Sequence, residues 1–115
     1  MEVNLTPSDM ATSKINNPMA WKLKGTASGQ NTVTMPTDYN EIMLVCEKST
    51  FYFTVIISKN EINASFIYPR FAYIYSASNY CGGYFKVNSS TANLDNMMDS
   101  GANIVSQATC KLYYR

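Results

Sequence analysis

The stretch EIMLVCEKSTFYFTVIIS, Glu41 to Ser58, decides the fold class. Its two apolar halves are too short for helices and are rich in β-branched and aromatic residues. They are separated by Glu47-Lys48-Ser49-Thr50, so they predict strands over Glu41 to Cys46 and Phe51 to Ser58 joined by a four-residue loop. In the second half Phe51, Phe53, Val55 and Ile57 share one face, and Tyr52, Thr54, Ile56 and Ser58 share the other. The first of these faces is expected in the core.

The same alternation spreads outward from this hairpin. Trp21-Lys22-Leu23-Lys24 alternates apolar with basic, Gly25 to Asn31 reads as a turn, and Thr32 to Met35 as a short strand ending at the Pro36-Thr37-Asp38 turn. Beyond the hairpin, Lys59 to Ser65 is a polar connection. Phe66 to Tyr75 is a strand region that Pro69 marks as an edge or a bend, and Gly82 to Asn88 is a further strand. The closing run QATCKLYYR sets Ala108, Cys110, Leu112 and Tyr114 against Thr109, Lys111, Tyr113 and Arg115. Only Thr91 to Ser100 could hold a turn of helix, and Asn96-Met97-Met98-Asp99 within it reads as easily as a strand end with a loop. Turn residues recur every eight to twelve positions from Trp21 onward, which predicts an all-β, antiparallel β-sandwich of jelly-roll-like form over residues 19–115. Residues 1–18 form a separate N-terminal arm or neck. Thr6, Pro7 and Asp9 there resemble a helix start, and a short helix or an extended linker are both open.

Composition excludes several functions. In 115 residues there are nine basic and eight acidic side chains, giving a net charge of +1 with no basic run to neutralise phosphates, so nucleic acid is not an expected partner. No apolar run approaches the ~20 residues of a membrane span, and the opening MEVNLTPSDM lacks the basic start and apolar stretch of a secretory signal. Cytoplasmic synthesis is the expectation. Asn4, Asn63 and Asn88 begin glycosylation sequons, which carry no weight without such a signal. Cys46, Cys81 and Cys110 have neither zinc-knuckle nor redox spacing and read as free thiols, with Cys46 and Cys110 in strand-like apolar runs.

The chain has no histidine, which removes the commonest general base and the commonest metal ligand. The carboxylates fall mostly in predicted turns, and Gly82-Gly83 lacks the following helix that a phosphate cradle needs. No enzyme activity, cofactor or metal is expected. Binding is better provided for, by nine tyrosines, one tryptophan and abundant Asn, Ser and Thr. That mixture suits neutral sugars, whose CH faces stack on rings while their hydroxyls bond to amides. In FAYIYSASNYCGGYF, Phe71 to Phe85, the residues Phe71, Tyr73 and Tyr75 share a strand face and Ser76 to Asn79 form a loop. Gly82-Gly83 permits a sharp bend or a close approach by another backbone. Asn79, Tyr80 and Tyr84 around that bend are the candidate ligand contacts.

One resemblance adds to this reading. The order WKLKGTASGQNTVTMPTDYNEIMLV, a hairpin, a GGYF element and a terminal QATCKLYYR resembles the C-terminal receptor-binding heads of phage and prophage tail-fibre or tail-tip proteins. The residues that carry it are Trp21, Gly25, Pro36, Asn40, Glu41, Gly83, Tyr84, Tyr113, Tyr114 and Arg115. The resemblance implies a β-sandwich head, commonly trimeric, at the tip of a virion tail, binding a host surface glycan or protein. It leaves two alternatives, a structural module of the virion or prophage tail and a bacterial β-domain of another function. It transfers no binding residues, and it gives Tyr113, Tyr114 and Arg115 the part of sheet-closing or subunit-contact elements.

Overall fold

The computed structural model describes residues 20–49, 51–74 and 80–115. The expectations for the 1–18 arm, for Ser76 to Asn79 and for Thr50 lie outside the described residues. Within them the chain forms nine strands: β1 (Lys22–Ser28), β2 (Val33–Thr34), β3 (Glu41–Lys48), β4 (Phe51–Ser58), β5 (Arg70–Ile74), β6 (Tyr80–Val87), β7 (Thr91–Asp99), β8 (Ala102–Asn103) and β9 (Thr109–Tyr114). Two single turns of 3-10 helix, Lys59–Glu61 and Val105–Gln107, are the only helical pieces among them.

The strands make two antiparallel sheets, in the orders β1-β9-β3-β4 and β2-β7-β6-β5, with β8 paired to the far end of β7. The sheets face each other as a sandwich, so the all-β prediction holds. Its winding is jelly-roll-like in the ribbons β1–β9 and β2–β7, whereas the middle of the chain forms two local hairpins, β3–β4 and β5–β6. Each inner face supplies alternate residues to one core. Ile42, Leu44 and Cys46 of β3 and Cys110 and Leu112 of β9 meet Cys81, Phe85 and Val87 of β6 and Ala92, Leu94 and Met97 of β7, all fully buried. Phe53, Val55, Phe71 and Tyr114 pack against that core, as the period-two pattern requires. The three cysteines are buried thiols, none of them in a disulfide.

Four local expectations are corrected. The β3–β4 ladder runs on to Lys48 opposite Phe51, so the loop is two residues long, not four, and Ser49 takes the positive φ of 53° that so tight a turn demands. The region Gly25 to Asn31 is not one turn. Strand β1 continues to Ser28, and the turn follows at Gly29, whose φ is 58°. A bulge puts Leu23 opposite Tyr113 and Gly25 opposite Leu112, leaving Lys24 as the extra residue. Gly25 fits a strand there because a Cβ would stand 2.8 Å from Cγ1 of Val33. Thr91 to Ser100 holds no helical turn: Thr91–Asp99 is the long strand β7, bonded to β6 on one side and to β2 and β8 on the other, and Ser100 begins the turn after it.

The fourth correction concerns the glycine pair. Strand β6 runs unbroken from Tyr80 to Val87, so Gly82-Gly83 makes no bend. The glycines serve the close-approach alternative. A Cβ on Gly83 would fall 2.0 Å from the Asn96 carbonyl oxygen, and one on Gly82 would fall 2.9 Å from that of Phe71. The irregularity sits one residue further on, where Tyr84 faces Asn96 but Phe85 faces Leu94, leaving Asp95 as the bulged residue of β7. The Gln30 side chain donates to the Asp95 carbonyl at 2.7 Å. That bond satisfies an acceptor the bulge takes out of the ladder.

Candidate functional site

Strand β6 alternates along its length. Cys81, Phe85 and Val87 point into the sandwich, so Tyr80, Gly82 and Tyr84 point out of it. Tyr80 is 43% exposed and Tyr84 half-buried, and neither belongs to the core. The neighbouring strands fix what lies beside them. In register across the sheet, Ala72 of β5, Gly82 and Met98 of β7 form one row, and Arg70, Tyr84 and Asn96 form the next.

The result is an open trough of about 450 Å³ on the outer face of the second sheet, lined by those six residues, Tyr80 and the backbone around Phe71 and Gly83. Gly82 is its floor, because the absence of a side chain there leaves the space between the two rings open. Four residues of extended chain separate Tyr80 from Tyr84, or about 13 Å. Tyr84 is held from two sides. The Arg70 guanidinium lies 5.3 Å from its ring centroid, and the Tyr68 ring meets it edge-on at 5.9 Å and 79°. A ring clamped in this way gives up little freedom when a ligand stacks on it.

Of the three predicted contacts, Tyr80 and Tyr84 are brought together on this face, and Asn79 lies outside the described residues. Sequence reasoning missed Arg70, Asn96, Met98 and Tyr68. Arg70 directly follows Pro69 and opens the edge strand, which was a usable signal. Asn96 and Met98 reach the trough only through the register that the β7 bulge sets, and no local pattern shows that. Among the described residues the lining offers stacking surfaces, a guanidinium and an amide, but no carboxylate.

A second cavity, of about 620 Å³, opens at one end of the sandwich between Lys22 and Lys24 of β1, the Thr34 to Asn40 segment and Tyr114-Arg115. Its best-placed charge is committed elsewhere. Arg115 exchanges backbone hydrogen bonds with Glu41 in both directions at 3.1 Å, and its Nε donates to Glu41 Oε1 at 2.8 Å. Its guanidinium also lies 4.1 Å from the Trp21 ring centroid. Arg115 thus closes the first sheet. Tyr39 in the same wall is buried, which pushes its phenol above the usual range, and Lys59 Nζ lies 5.0 Å from its ring centroid.

The thiols are chemically quiet. Burial pushes Cys46 and Cys110 up to about 12, and for Cys46 the neighbouring Cys110 and Cys81 add to the effect. Cys46 Sγ donates to Met97 Sδ at 3.6 Å. Among the described residues no three His, Cys, Asp or Glu side chains are placed to hold a metal ion.

No protein-family model, curated protein or solved structure matches this chain. The site is therefore read from its own geometry.

Proposed function

We propose that this chain is a non-enzymatic adhesin domain that holds a host cell-surface glycan in the trough of the second sheet, the task of a phage tail-fibre head. The carrying observation is the pair Tyr80 and Tyr84, turned outward on one strand with Gly82 between them. Two rings at this spacing span more than one sugar ring, and Arg70 and Asn96 beside them supply donors to hydroxyls. The absence of carboxylates from the lining favours binding over glycoside cleavage, which needs a pair of them across the scissile bond. A place at the virion tail and a homo-oligomeric state belong to the same reading, through the tail-fibre resemblance. So does a host surface protein as an alternative ligand.

Tyr80→Ala and Tyr84→Ala test it, measured as attachment to host cells or isolated wall glycan. Loss of an aromatic hot spot costs about 2 kcal/mol, or about thirtyfold in affinity. Tyr80→Ala is expected to leave thermal unfolding nearly unchanged, while Tyr84→Ala loses its contacts with Arg70 and Tyr68 and about 1 kcal/mol of stability. Folded variants that attach as well as the parent would end the glycan reading and favour a tail-assembly module.

A further inference from the structure

Among the described residues strand β4 is the outer strand of the first sheet, paired to β3 alone. The direction of its backbone groups follows from the ladder. Glu41 and Arg115 exchange both of their bonds, so Glu41, Met43, Val45 and Glu47 of β3 bond to β9, and the residues between them bond to β4. On β4 the inward-bonding residues are then Phe51, Phe53, Val55 and Ile57. Tyr52, Thr54 and Ile56 direct their N–H and C=O groups out of the sheet, and no described residue meets them. The next outward group, the Ser58 N–H, is already bonded to Glu61 Oε1 at 3.4 Å.

The other strand edges are each protected. β1 carries the Lys24 bulge, β5 is preceded by Pro69 and opens with Arg70, and β2 and β8 are two residues long, with Pro36 soon after β2. β4 has none of these devices: eight residues, no charge, no proline, no glycine and an unshifted register. Its outer side chains Tyr52 and Ile56 are 66% and 52% exposed. An edge of this kind recruits another strand.

We propose that β4 is the seam of a two-fold dimer, pairing antiparallel with β4 of a second copy to continue the sheet to eight strands. The occupant is set by the strand's own symmetry. With the two-fold axis at Thr54, Thr54 meets its counterpart and Tyr52 meets Ile56 of the second copy, twice over. All six outward backbone groups are then satisfied, and each exposed ring lies beside a β-branched side chain, a favourable cross-strand pair. The seam is two-fold, in place of the three-fold arrangement the tail-fibre resemblance implies, and it does not depend on the glycan reading.

Sedimentation velocity of the full chain is expected to show a species of twice the 12.9 kDa chain mass at micromolar concentration. Thr54→Lys sets two like charges directly opposite each other at the axis and leaves the inward bonds intact, so it should weaken association by at least about tenfold. Amide hydrogen exchange on the unsubstituted protein gives an independent reading. Tyr52, Thr54 and Ile56 should gain protection as concentration rises, while Phe53, Val55 and Ile57 stay protected throughout. A monomer at every concentration, a trimer, or a dimer that Thr54→Lys leaves intact would overturn the proposal, as would free exchange of those three amides in the associated state.

Discussion

Gly83→Ala tests the closest approach in the sandwich. The added Cβ would stand 2.0 Å from the Asn96 carbonyl oxygen, 2.7 Å from its carbon and 2.9 Å from the Met97 Cα. All three atoms are backbone, so no side-chain rotation relieves the overlap. Ordinary contact begins near 3.4 Å, so β6 and β7 must separate by over an ångström. β7 cannot retreat freely, because β2 and β8 hold its other side and Met97 is fully buried. Overpacking costs about 1–3 kcal/mol where neighbours can adjust, and here the upper end or more is expected. For a domain of this size that lowers the melting temperature by roughly 12 °C. Gly101→Ala is the matched control. Its added Cβ meets nothing within 4 Å, so only the strain of a φ of 90° remains, costing on the order of 1–2 kcal/mol. Thermal and urea unfolding of both variants decide the matter. If Gly83→Ala melts within about 2 °C of the parent, or above Gly101→Ala, the β6–β7 approach inferred here is wrong.

Two further outcomes follow from the core and the sheet end. Cys46 and Cys110 stay protonated in the fold up to about 12, but from the ordinary value of 9.0 upward they ionise in the unfolded chain. The unfolded state then binds fewer protons, so stability is fully present below pH 9 and falls as pH rises from 9 towards 12, by about 1.4 kcal/mol per pH unit for each thiol. Urea midpoints at pH 8 and 10.5 should show the fall, Cys110→Ala should reduce its slope to about half, and a thiol reagent at neutral pH should find three groups only after denaturation. Glu41→Gln weakens the partly buried bond to Arg115 and should cost about 1 kcal/mol in thermal unfolding, while the backbone pairing of the two residues persists.

The sequence revealed the strands wherever the period of two was unbroken. β3, β4 and β9 show their inner faces directly, because each keeps one register along its length. β7 does not. Its bulge at Asp95 moves the next inward residue after Leu94 to Met97, a spacing of three that imitates a helix, and only the pairing with β6 reveals the extra residue. β1 was hidden in the same way, by the Lys24 bulge and by a glycine that exists to admit Val33. The trough was half legible. Tyr80 and Tyr84 share a parity that any reader of β6 can count, but Arg70, Asn96 and Met98 join them through inter-strand register, a long-range property.

The two glycines and the two tyrosines of β6 have separate explanations. Glycine within a strand loses about 0.5–1 kcal/mol relative to alanine, so a pair of them in the middle of a sheet needs a compensating gain. Gly83 has one in the approach of β7, and Gly82 has one in the approach of β5, whose Phe71 carbonyl leaves no room for a Cβ. Strand packing therefore accounts for both glycines, with no ligand required. It does not account for the rings. Aromatics that serve this core turn inward, as Phe53, Phe71 and Phe85 do in a chain of contacts at 4.6 and 5.3 Å. Tyr80 and Tyr84 turn the other way, onto the outer face of the sheet, and Tyr84 is braced in place by Arg70 and Tyr68. The floor of the trough follows from how the strands fit together, and its two rings are what a bound sugar would explain.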